Sequence, residues 1–240
     1  MNILVVNDDG IDAIGIEILA KALMKYGEVT IVSPDRGRSA ASHSIVLHRP
    51  IEVTRVEKFN GITSYKISGV PADCVRVGIG LLDTKFDIVF SGVNNGLNLG
   101  TDILYSGTCA AAREGVIEGV AGVAISTDVD QFDIVLRELD SLLELVFNKR
   151  LYSKDYMLNI NFPVKGYDKS LGYKLCRMGD KIFTTCFKEL GNNLYMDKSY
   201  PSILDKNEGT DVYEADCGYI TLVPVGIDQT NKEALEKLKL

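Results

Sequence analysis

Met1-Asn2-Ile3-Leu4-Val5-Val6, followed at once by Asn7-Asp8-Asp9-Gly10, is the stretch that decides the fold. Four consecutive apolar residues are typical of a strand buried on both faces, as in a parallel sheet. Two adjacent carboxylates at the end of such a strand repel each other, and each is costly to desolvate unless a cation lies between them. Gly10 permits the unusual backbone φ with which both carboxylates can turn to one side. The tetrapeptide thus fits a metal site, but it also fits a solvated loop whose aspartates cap the next helix.

Apolar runs and helical periodicities alternate as far as Pro163. Runs bounded by glycine, proline or polar residues predict strands, and apolar residues at helical spacing predict helices. The predicted strands are 1–6, 28–33, 45–55, 62–67, 86–91, 120–127 and 157–162, and the predicted helices are 14–24, 71–82, 108–117 and 131–148. This order indicates an α/β fold with a mostly parallel, doubly wound sheet.

The alternation stops after Pro163. Residues 164–207 predict hairpins built from the short runs 173–177, 182–189 and 193–197, and beyond them lie a short helix at 210–215, a strand at 219–225 and a charged helix from Lys232. We therefore expect one domain over 1–240, with a core of about 1–163 plus 209–228, a hairpin extension of about 164–207 and a C-terminal helix of about 229–240. Such an extension serves either as an arm that contacts another subunit or as a surface flap.

Composition and charge exclude several classes of protein. The chain has 240 residues, 46% of them hydrophobic and 25% charged, which is ordinary for a globular protein. The net charge of −7 argues against binding to a nucleic-acid polymer or an anionic membrane through a basic face. No stretch approaches the roughly 18 apolar residues of a membrane span. An acidic protein that handles a phosphorylated small molecule needs a local positive centre, such as a bound metal or a helix N-terminus.

The cysteines and the N-terminus predict a cytoplasmic protein. The five cysteines form no Cys-x-x-Cys pair, and with only two histidines a zinc cluster is not expected. An odd, scattered set of cysteines is typical of reduced thiols in the cytosol. The N-terminus shows neither the basic segment nor the small-residue cleavage site of a secretory signal.

Polar side chains follow several of the predicted strands. In an open α/β sheet, ligands bind outside the carboxyl ends of the strands, so the loops after those strands should meet at one edge. Their carboxylate, hydroxyl and amide oxygens are ligands that suit Mg²⁺ or Mn²⁺. The loops that supply them are 7–9, 34–39, 91–100 and 105–108, which include Asp8, Asp9, Ser39, Asn94, Asn98, Ser106, Gly107 and Thr108.

Each candidate residue also has an ordinary structural explanation. Ser39 alone is more often a helix cap than a ligand. Asn94 and Asn98, set among glycines, are equally suited to left-handed turns. Ser106-Gly107-Thr108 at a helix start is a good phosphate cradle, but serine and threonine are also the default helix caps.

Four ordered motifs resemble the family of the stationary-phase survival protein SurE. They are Asn7-Asp8-Asp9-Gly10 with Ala13 and Gly15-Ile16, Pro34-Asp35-Arg36-x-Arg38-Ser39, Ser91-Gly92-x-Asn94-x-Gly96-x-Asn98-x-Gly100, and Tyr105-Ser106-Gly107-Thr108. The resemblance spans essentially the whole chain and includes Pro71-Ala72-Asp73-Cys74 and the stretch Asp211…Gly218-Tyr219. The chain departs from the family pattern at Ile14 and Val70, where proline and threonine are usual, and neither position falls on a proposed ligand.

The resemblance implies a metal-dependent 5′/3′-nucleotidase that also hydrolyses short polyphosphate in some members. It implies a Rossmann-like core and an extension exchanged between subunits in a homodimer or homotetramer. It assigns one Mg²⁺ or Mn²⁺ per subunit to Asp8, Asp9, Ser39 and Asn94. Asn98, Ser106, Gly107 and Thr108 are then phosphate-side residues, and Asp8, Asp9 and Asn98 are the expected catalytic residues.

Other interpretations are open at this point. An aspartyl-phosphate phosphatase needs two aspartates spaced by one residue, but Gly10 stands two positions after Asp8. A response-regulator receiver domain needs an acceptor aspartate at the end of its third strand, where this chain has Ser91 and a glycine-rich loop. A non-catalytic nucleotide-binding protein, in which the glycine loop only cradles phosphate, is the remaining alternative.

Overall fold

The computed structural model describes residues 1–238 of the chain. The described elements are, in order, β1 (Asn2–Val6), α1 (Ile14–Leu23), β2 (Glu28–Pro34), β3 (Val53–Val56), β4 (Thr63–Ile67), α2 (Pro71–Leu81), β5 (Ile88–Asn95), α3 (Asp102–Tyr105), α4 (Gly107–Ile117), β6 (Ala121–Thr127), α5 (Phe132–Asn148), β7 (Tyr156–Asn161), β8 (Tyr173–Leu175), β9 (Lys181–Thr184), β10 (Phe187–Gly191), β11 (Leu194–Asp197), β12 (Tyr200–Leu204), α6 (Asp211–Asp216), β13 (Ile220–Gly226) and α7 (Lys232–Lys237).

The main sheet has nine strands in the order β3-β4-β2-β1-β5-β6-β7-β13-β8. The six strands from β4 to β7 run parallel, β3 is antiparallel to β4, and β13 is antiparallel to β7. β1 pairs with β2 on one side and with β5, which comes later in the chain, on the other. The switch in strand order therefore lies between β1 and β5, which is where ligands bind in folds of this kind. The predicted doubly wound α/β sheet is confirmed.

Helices cover both faces of the sheet. Successive side chains of a central strand point to opposite faces, so all of them are buried. Ile3 and Val5 of β1 belong to a core shared with α1 and α5. Leu4 and Val6 belong to a second core, shared with α2 and α4. The continuous apolar run of β1 is thus explained by burial on both faces. No helix within residues 1–238 has the length and apolar character needed to cross a membrane.

The segment before β3 is not part of a strand, so the predicted strand over 45–55 is too long. The backbone N–H of Val46 donates to the Asp73 carboxylate, and that of Glu52 donates to Ser68 Oγ. His48 has a φ of 58°, in the left-handed region that no strand adopts. Side chains therefore take the hydrogen bonds that a neighbouring strand would otherwise supply.

The extension forms a long two-stranded arm. β9 pairs with β12 and β10 pairs with β11, both antiparallel. The predicted strand 182–189 is broken into β9 and β10, and β12 was not predicted. β8, inside the stretch predicted as extension, instead joins the main sheet beside β13. Of the C-terminal helix predicted at 229–240, α7 covers Lys232–Lys237, and residues 239 and 240 lie outside the described residues.

Candidate functional site

A cavity of about 240 Å³ opens at the carboxyl ends of β1 and β5, at the switch in strand order. Five of the predicted site residues line it, from four separate stretches of the chain: Asp8, Ser39, Asn94, Asn98 and Ser106. Asp9, Gly107 and Thr108 adjoin it through Asn95 and Asp8. The structure therefore brings all eight candidates to one edge of the sheet.

Asp8 is buried at the end of β1, with 4% of its surface exposed. Its Oδ1 accepts a hydrogen bond of 2.5 Å from Thr108 Oγ1, and its backbone carbonyl accepts one of 2.7 Å from the N–H of Arg38. Burial raises the pKa of Asp8 to about 6, the Thr108 bond opposes this rise, and the charge of Asp9 adds to it. The carboxylate is thus held in place while its charged form is disfavoured.

Asp9 is half-buried, and its Oδ2 accepts a hydrogen bond of 3.1 Å from the backbone N–H of Asn95 in β5. Burial raises the pKa of Asp9 as well. The chain turns at Gly10, where φ is +96° and a Cβ would lie 2.9 Å from the carbonyl carbon of Arg36. Only glycine fits there without strain, which explains the glycine after the aspartate pair.

The first turn of α4 contacts Asp8 directly. Ser106 caps the helix by accepting a hydrogen bond of 3.0 Å from the N–H of Cys109. A Cβ on Gly107 would lie 2.9 Å from Asp8 Cβ and 3.0 Å from Asp8 Oδ2, so glycine is what allows this close approach. The first N–H groups of a helix have no partner within the helix and attract anions. The cap takes the N–H of Cys109 and not that of Gly107, so the start of α4 keeps a donor with which an anion could bond.

Ser39 lies in an irregular loop, and no helix follows it within residues 40–52, so its hydroxyl is not a helix cap. The loop is fastened next to the cavity. The Ser42 N–H donates to the carbonyl of Tyr105 at 3.0 Å, and His43 Nε2 lies 2.6 Å from Glu114 Oε2 of α4. Glu114 is itself buried and lies 3.7 Å from Arg76.

Asn94 belongs to the end of β5, where the pairing with β6 shifts register between Ser91 and Asn94. Its Nδ2 donates a hydrogen bond of 2.6 Å to the carbonyl of Gly96. This bond fixes the amide plane and orients Oδ1, the atom with which an asparagine binds a cation.

Asn98 is buried and held by three polar residues that sequence reasoning missed. Its N–H donates to Asn161 Oδ1 at 2.8 Å, and its carbonyl accepts from Asn159 Nδ2 at 2.8 Å and from Asn161 Nδ2 at 3.1 Å. Its Nδ2 donates to Ser126 Oγ at 2.8 Å, which leaves the second amide hydrogen for a ligand. The available signal was the alternation Asn159-Ile160-Asn161, which puts two asparagines on one face of a buried strand.

Two further lining residues, Asp102 and Tyr105, come from α3. Asp102 Oδ2 lies 2.5 Å from Nζ of Lys181, at the start of the arm. The Tyr105 side chain is exposed beside the cavity. No sequence pattern indicates the contact between Asp102 and Lys181, because 79 residues separate them.

The donor set fits a hard divalent cation. Within residues 1–238 no group of three or more His, Cys, Asp or Glu side chains could hold a metal ion, so an ion here would need oxygen ligands besides the two carboxylates. Asp8 and Asp9 are adjacent, both have raised pKa values, and neither forms a salt bridge with the described Lys and Arg residues. A cation would relieve this uncompensated charge, and oxygen donors are those that Mg²⁺ and Mn²⁺ prefer.

Comparison with known proteins identifies the family. The family model described as "Survival protein SurE" matches residues 3–185. The chain belongs to the SurE family. The resemblance inferred from the sequence motifs is therefore confirmed, and the motifs it rested on are those that surround the cavity.

Relatives in the SurE family align over nearly the full chain. The "5'-nucleotidase SurE" of Clostridium botulinum strain Loch Maree is 42% identical over 251 residues, covering 99% of this chain and 97% of the relative. That of strain Alaska E43 is 39% identical, covering 100% of this chain and 98% of the relative. The crystal structure of SurE from Aquifex aeolicus superposes with a TM-score of 0.84 at 30% identity, covering 100% of this chain and 98% of the other. The two Clostridium botulinum relatives are nucleotidases by name.

Proposed function

We propose that this chain is a divalent-metal-dependent phosphomonoesterase that hydrolyses nucleoside 5′-monophosphates to nucleoside and phosphate. The observation that carries the proposal is the buried Asp8 beside Asp9, in direct contact with the N-terminus of α4 at the edge of a small cavity. The name 5'-nucleotidase in several relatives supports the same substrate class. Hydrolysis of 3′-monophosphates and of short polyphosphate is part of the proposal and is tested separately below.

We assign one Mg²⁺ or Mn²⁺ per subunit to Asp8, Asp9, Ser39 and Asn94. Such an ion neutralises charge on a phosphate oxygen and acidifies bound water. Asp8 and Asp9 carry the two negative charges of the set, and the Thr108 hydroxyl stabilises the ionised form of Asp8 that a cation requires. The bond from Asn94 Nδ2 to Gly96 leaves the amide oxygen as the ligand atom.

The phosphate-side residues hold the substrate through neutral donors. The Ser106 hydroxyl accepts from the Cys109 N–H and keeps its own hydrogen as a donor, whereas Thr108 bonds Asp8 and fixes that carboxylate beside the phosphate. The donors left for an anion at the start of α4 are therefore the Ser106 hydroxyl and the Gly107 N–H, where the helix dipole favours negative charge. Asn98 adds an amide hydrogen from a backbone fixed on both sides by Asn159 and Asn161. Fixed donors of this kind favour charge that develops on phosphoryl oxygens, which is the expected catalytic role of Asn98.

We also propose that the chain assembles as a homodimer or homotetramer through its arm. The strands β9 to β12 expose large apolar side chains along the whole arm, including Phe183, Phe187, Leu194, Tyr195, Tyr200 and Ile203. An isolated two-stranded arm with such a surface is marginally stable in water and is stabilised by another surface. We place the enzyme in the cytoplasm, where its five cysteines, none of them in a disulfide, stay reduced.

The experiment is phosphate release from 5′-AMP and 5′-GMP by the purified chain, with Mn²⁺, with Mg²⁺ and after EDTA treatment. We expect activity with a divalent ion and its loss with EDTA. Asp9→Asn should lower activity about 100-fold or more and weaken Mn²⁺ binding, because it removes a charged ligand. The matched control is Asp12→Asn, an exposed aspartate three residues along the chain, paired with Lys58.

Different results separate the parts of the proposal. Mn²⁺ binding without phosphate release from any monophosphate would favour a non-catalytic nucleotide-binding protein. Equal turnover by Asp9→Asn and the native chain would exclude the proposed metal site. Parallel assays with 3′-AMP and tripolyphosphate decide the two additional activities independently of the first.

A further inference from the structure

A second cavity, of about 550 Å³, lies beside the short helix α3. Ile103 and Leu104 of α3 line it, whereas Asp102 and Tyr105 of the same helix line the candidate active site. Its other walls are formed by Arg113 of α4, residues 176–178, β13 and residues 228–229. The two cavities therefore share α3 as a common wall.

Arg113 is buried at this cavity without a charged partner. Only 6% of its surface is exposed, and its Nε is fully buried with no hydrogen-bond acceptor. Its Nη2 makes one long contact, 3.5 Å from the carbonyl of Ile103. Within residues 1–238 no carboxylate oxygen lies within salt-bridge distance of it. Burying a guanidinium costs free energy unless an anion pairs with it. Arginine side chains are therefore rarely buried without such a partner.

The rest of the lining is mostly apolar. A second guanidinium, that of Arg177, is largely exposed and lies 3.9 Å from Asp205, while Asp228 is the acidic residue in the lining. The apolar side chains of the lining are Ile103, Leu104, Met178, Val223, Pro224 and Val225. The cavity thus has a buried positive end and apolar walls.

We propose that this cavity binds a small organic acid, with its carboxylate on Arg113 and its hydrocarbon part against β13 and α3. The planar fork of a guanidinium matches a carboxylate with two parallel hydrogen bonds. A single buried positive charge suits a monoanion better than a phosphate dianion, whose second charge would be left uncompensated among apolar walls. The volume falls within the range of small-molecule sites. Nothing in the proposed phosphatase chemistry uses Arg113.

The test titrates the full chain, in the presence of Mg²⁺, with hexanoate and with the neutral, nearly isosteric hexanamide. Calorimetry gives the affinity, and NMR of isotope-labelled methyl groups gives the location. We expect saturable binding of hexanoate, weaker binding of hexanamide by at least about ten-fold, and shifts at the methyl groups of Ile103, Leu104 and Val223. Shifts confined to the candidate active site would overturn the proposal, as would absence of saturable hexanoate binding.

Variants of Arg113 provide a second test. Arg113→Met keeps an unbranched apolar stem and removes the charged guanidinium, so hexanoate affinity should fall at least about ten-fold, with Arg113→Lys intermediate because it lacks the fork. The matched control is Arg137→Met, which removes an equal charge from the exposed face of α5 and should leave the affinity unchanged. The titration of the native chain decides the question if Arg113→Met does not fold.

Sedimentation analysis distinguishes this proposal from its main alternative, in which a second copy of the protein supplies the anion. If Arg113→Met changes the association state while hexanoate does not bind the native chain, the carboxylate at Arg113 comes from a second copy of the protein. The small-molecule assignment is then wrong.

Discussion

Thr108 Oγ1 donates a 2.5 Å hydrogen bond to Asp8 Oδ1 and so joins the start of α4 to the end of β1 across 100 residues of sequence. Replacing Thr108 with valine removes the donor and keeps the shape of the side chain. We expect the pKa of Asp8 to rise further above about 6, because this bond favours the ionised form. The free energy of unfolding should fall by about 1–3 kcal/mol at neutral pH. Carboxyl NMR titration and urea denaturation measure the two effects, and Thr108→Ser should restore both.

Asp8→Asn should stabilise the metal-free protein at neutral pH while abolishing activity. The folded state raises the pKa of Asp8 from 3.8 to about 6, so it binds this proton more tightly than the unfolded chain does. The resulting stabilisation is complete below pH 3.8 and is lost as pH rises through about 6. At pH 7 the asparagine variant should therefore be more stable by about 1–3 kcal/mol. Thermal unfolding in EDTA at pH 5 and pH 8 tests this, because the advantage should shrink at the lower pH.

Gly107→Ala should damage the site through one methyl group. The added Cβ would lie 2.9 Å from Asp8 Cβ and 3.0 Å from Pro71 Cγ, so α4 or β1 must shift. We expect a loss of about 1–3 kcal/mol in stability and weaker Mn²⁺ binding, measured by denaturation and calorimetry. Gly80→Ala in α2 is the control: nothing lies within 4 Å of its Cβ position, and alanine should stabilise that helix by about 0.5–1 kcal/mol. Equal behaviour of the two variants would contradict the close approach.

The contact between His43 and Glu114 should position Ser39. Ala40 and Ser42, which separate these parts of the loop, have left-handed φ values of 56° and 51°, and such conformations persist only when the surroundings fix them. We expect His43→Ala and Glu114→Ala each to weaken Mn²⁺ binding about ten-fold. The double variant should bind Mn²⁺ as well as whichever single variant has the lower affinity. Arg76→Ala, which removes the other partner of Glu114, is the control and should leave Mn²⁺ binding near normal. Additive losses would show that the two residues act independently.

Asn161→Ala should lower turnover more than it weakens substrate binding. The side chain of Asn161 bonds both the N–H and the carbonyl of Asn98, so its loss frees the backbone that orients the Asn98 amide. We expect a fall in kcat of about ten-fold or more with a smaller change in KM for 5′-AMP. Steady-state kinetics measures both, and an effect limited to thermal stability would leave Asn161 with a purely structural role.

The core of the fold could be predicted because burial restricts which residue types occupy successive positions of each strand and helix. A parallel strand covered on both faces must be apolar throughout, as β1 is, and α2 carries proline at its first position. The predicted bounds of α2, 71–82, differ from the observed Pro71–Leu81 by one residue. Such patterns are visible in the sequence because packing of the core requires them.

The arm and the short elements could not be predicted so well. β12 is exposed along its whole length, so no alternation of apolar and polar residues marks it. α3 has four residues, fewer than helical periodicity needs to be visible. In the candidate site, Asp8 and Asn94 stand out because they follow apolar runs that predict strands, whereas Asn161 and Asp102 act through residues distant in sequence.

The proposed assembly through the apolar arm would make the stability of each chain depend on protein concentration. A chain that left the proposed homodimer or homotetramer on dilution would expose side chains of the arm such as Phe187 and Leu194 to water. Dilution alone then becomes a stress: apparent melting temperature should climb with protein concentration, and proteases should nick the arm first in sparse solutions.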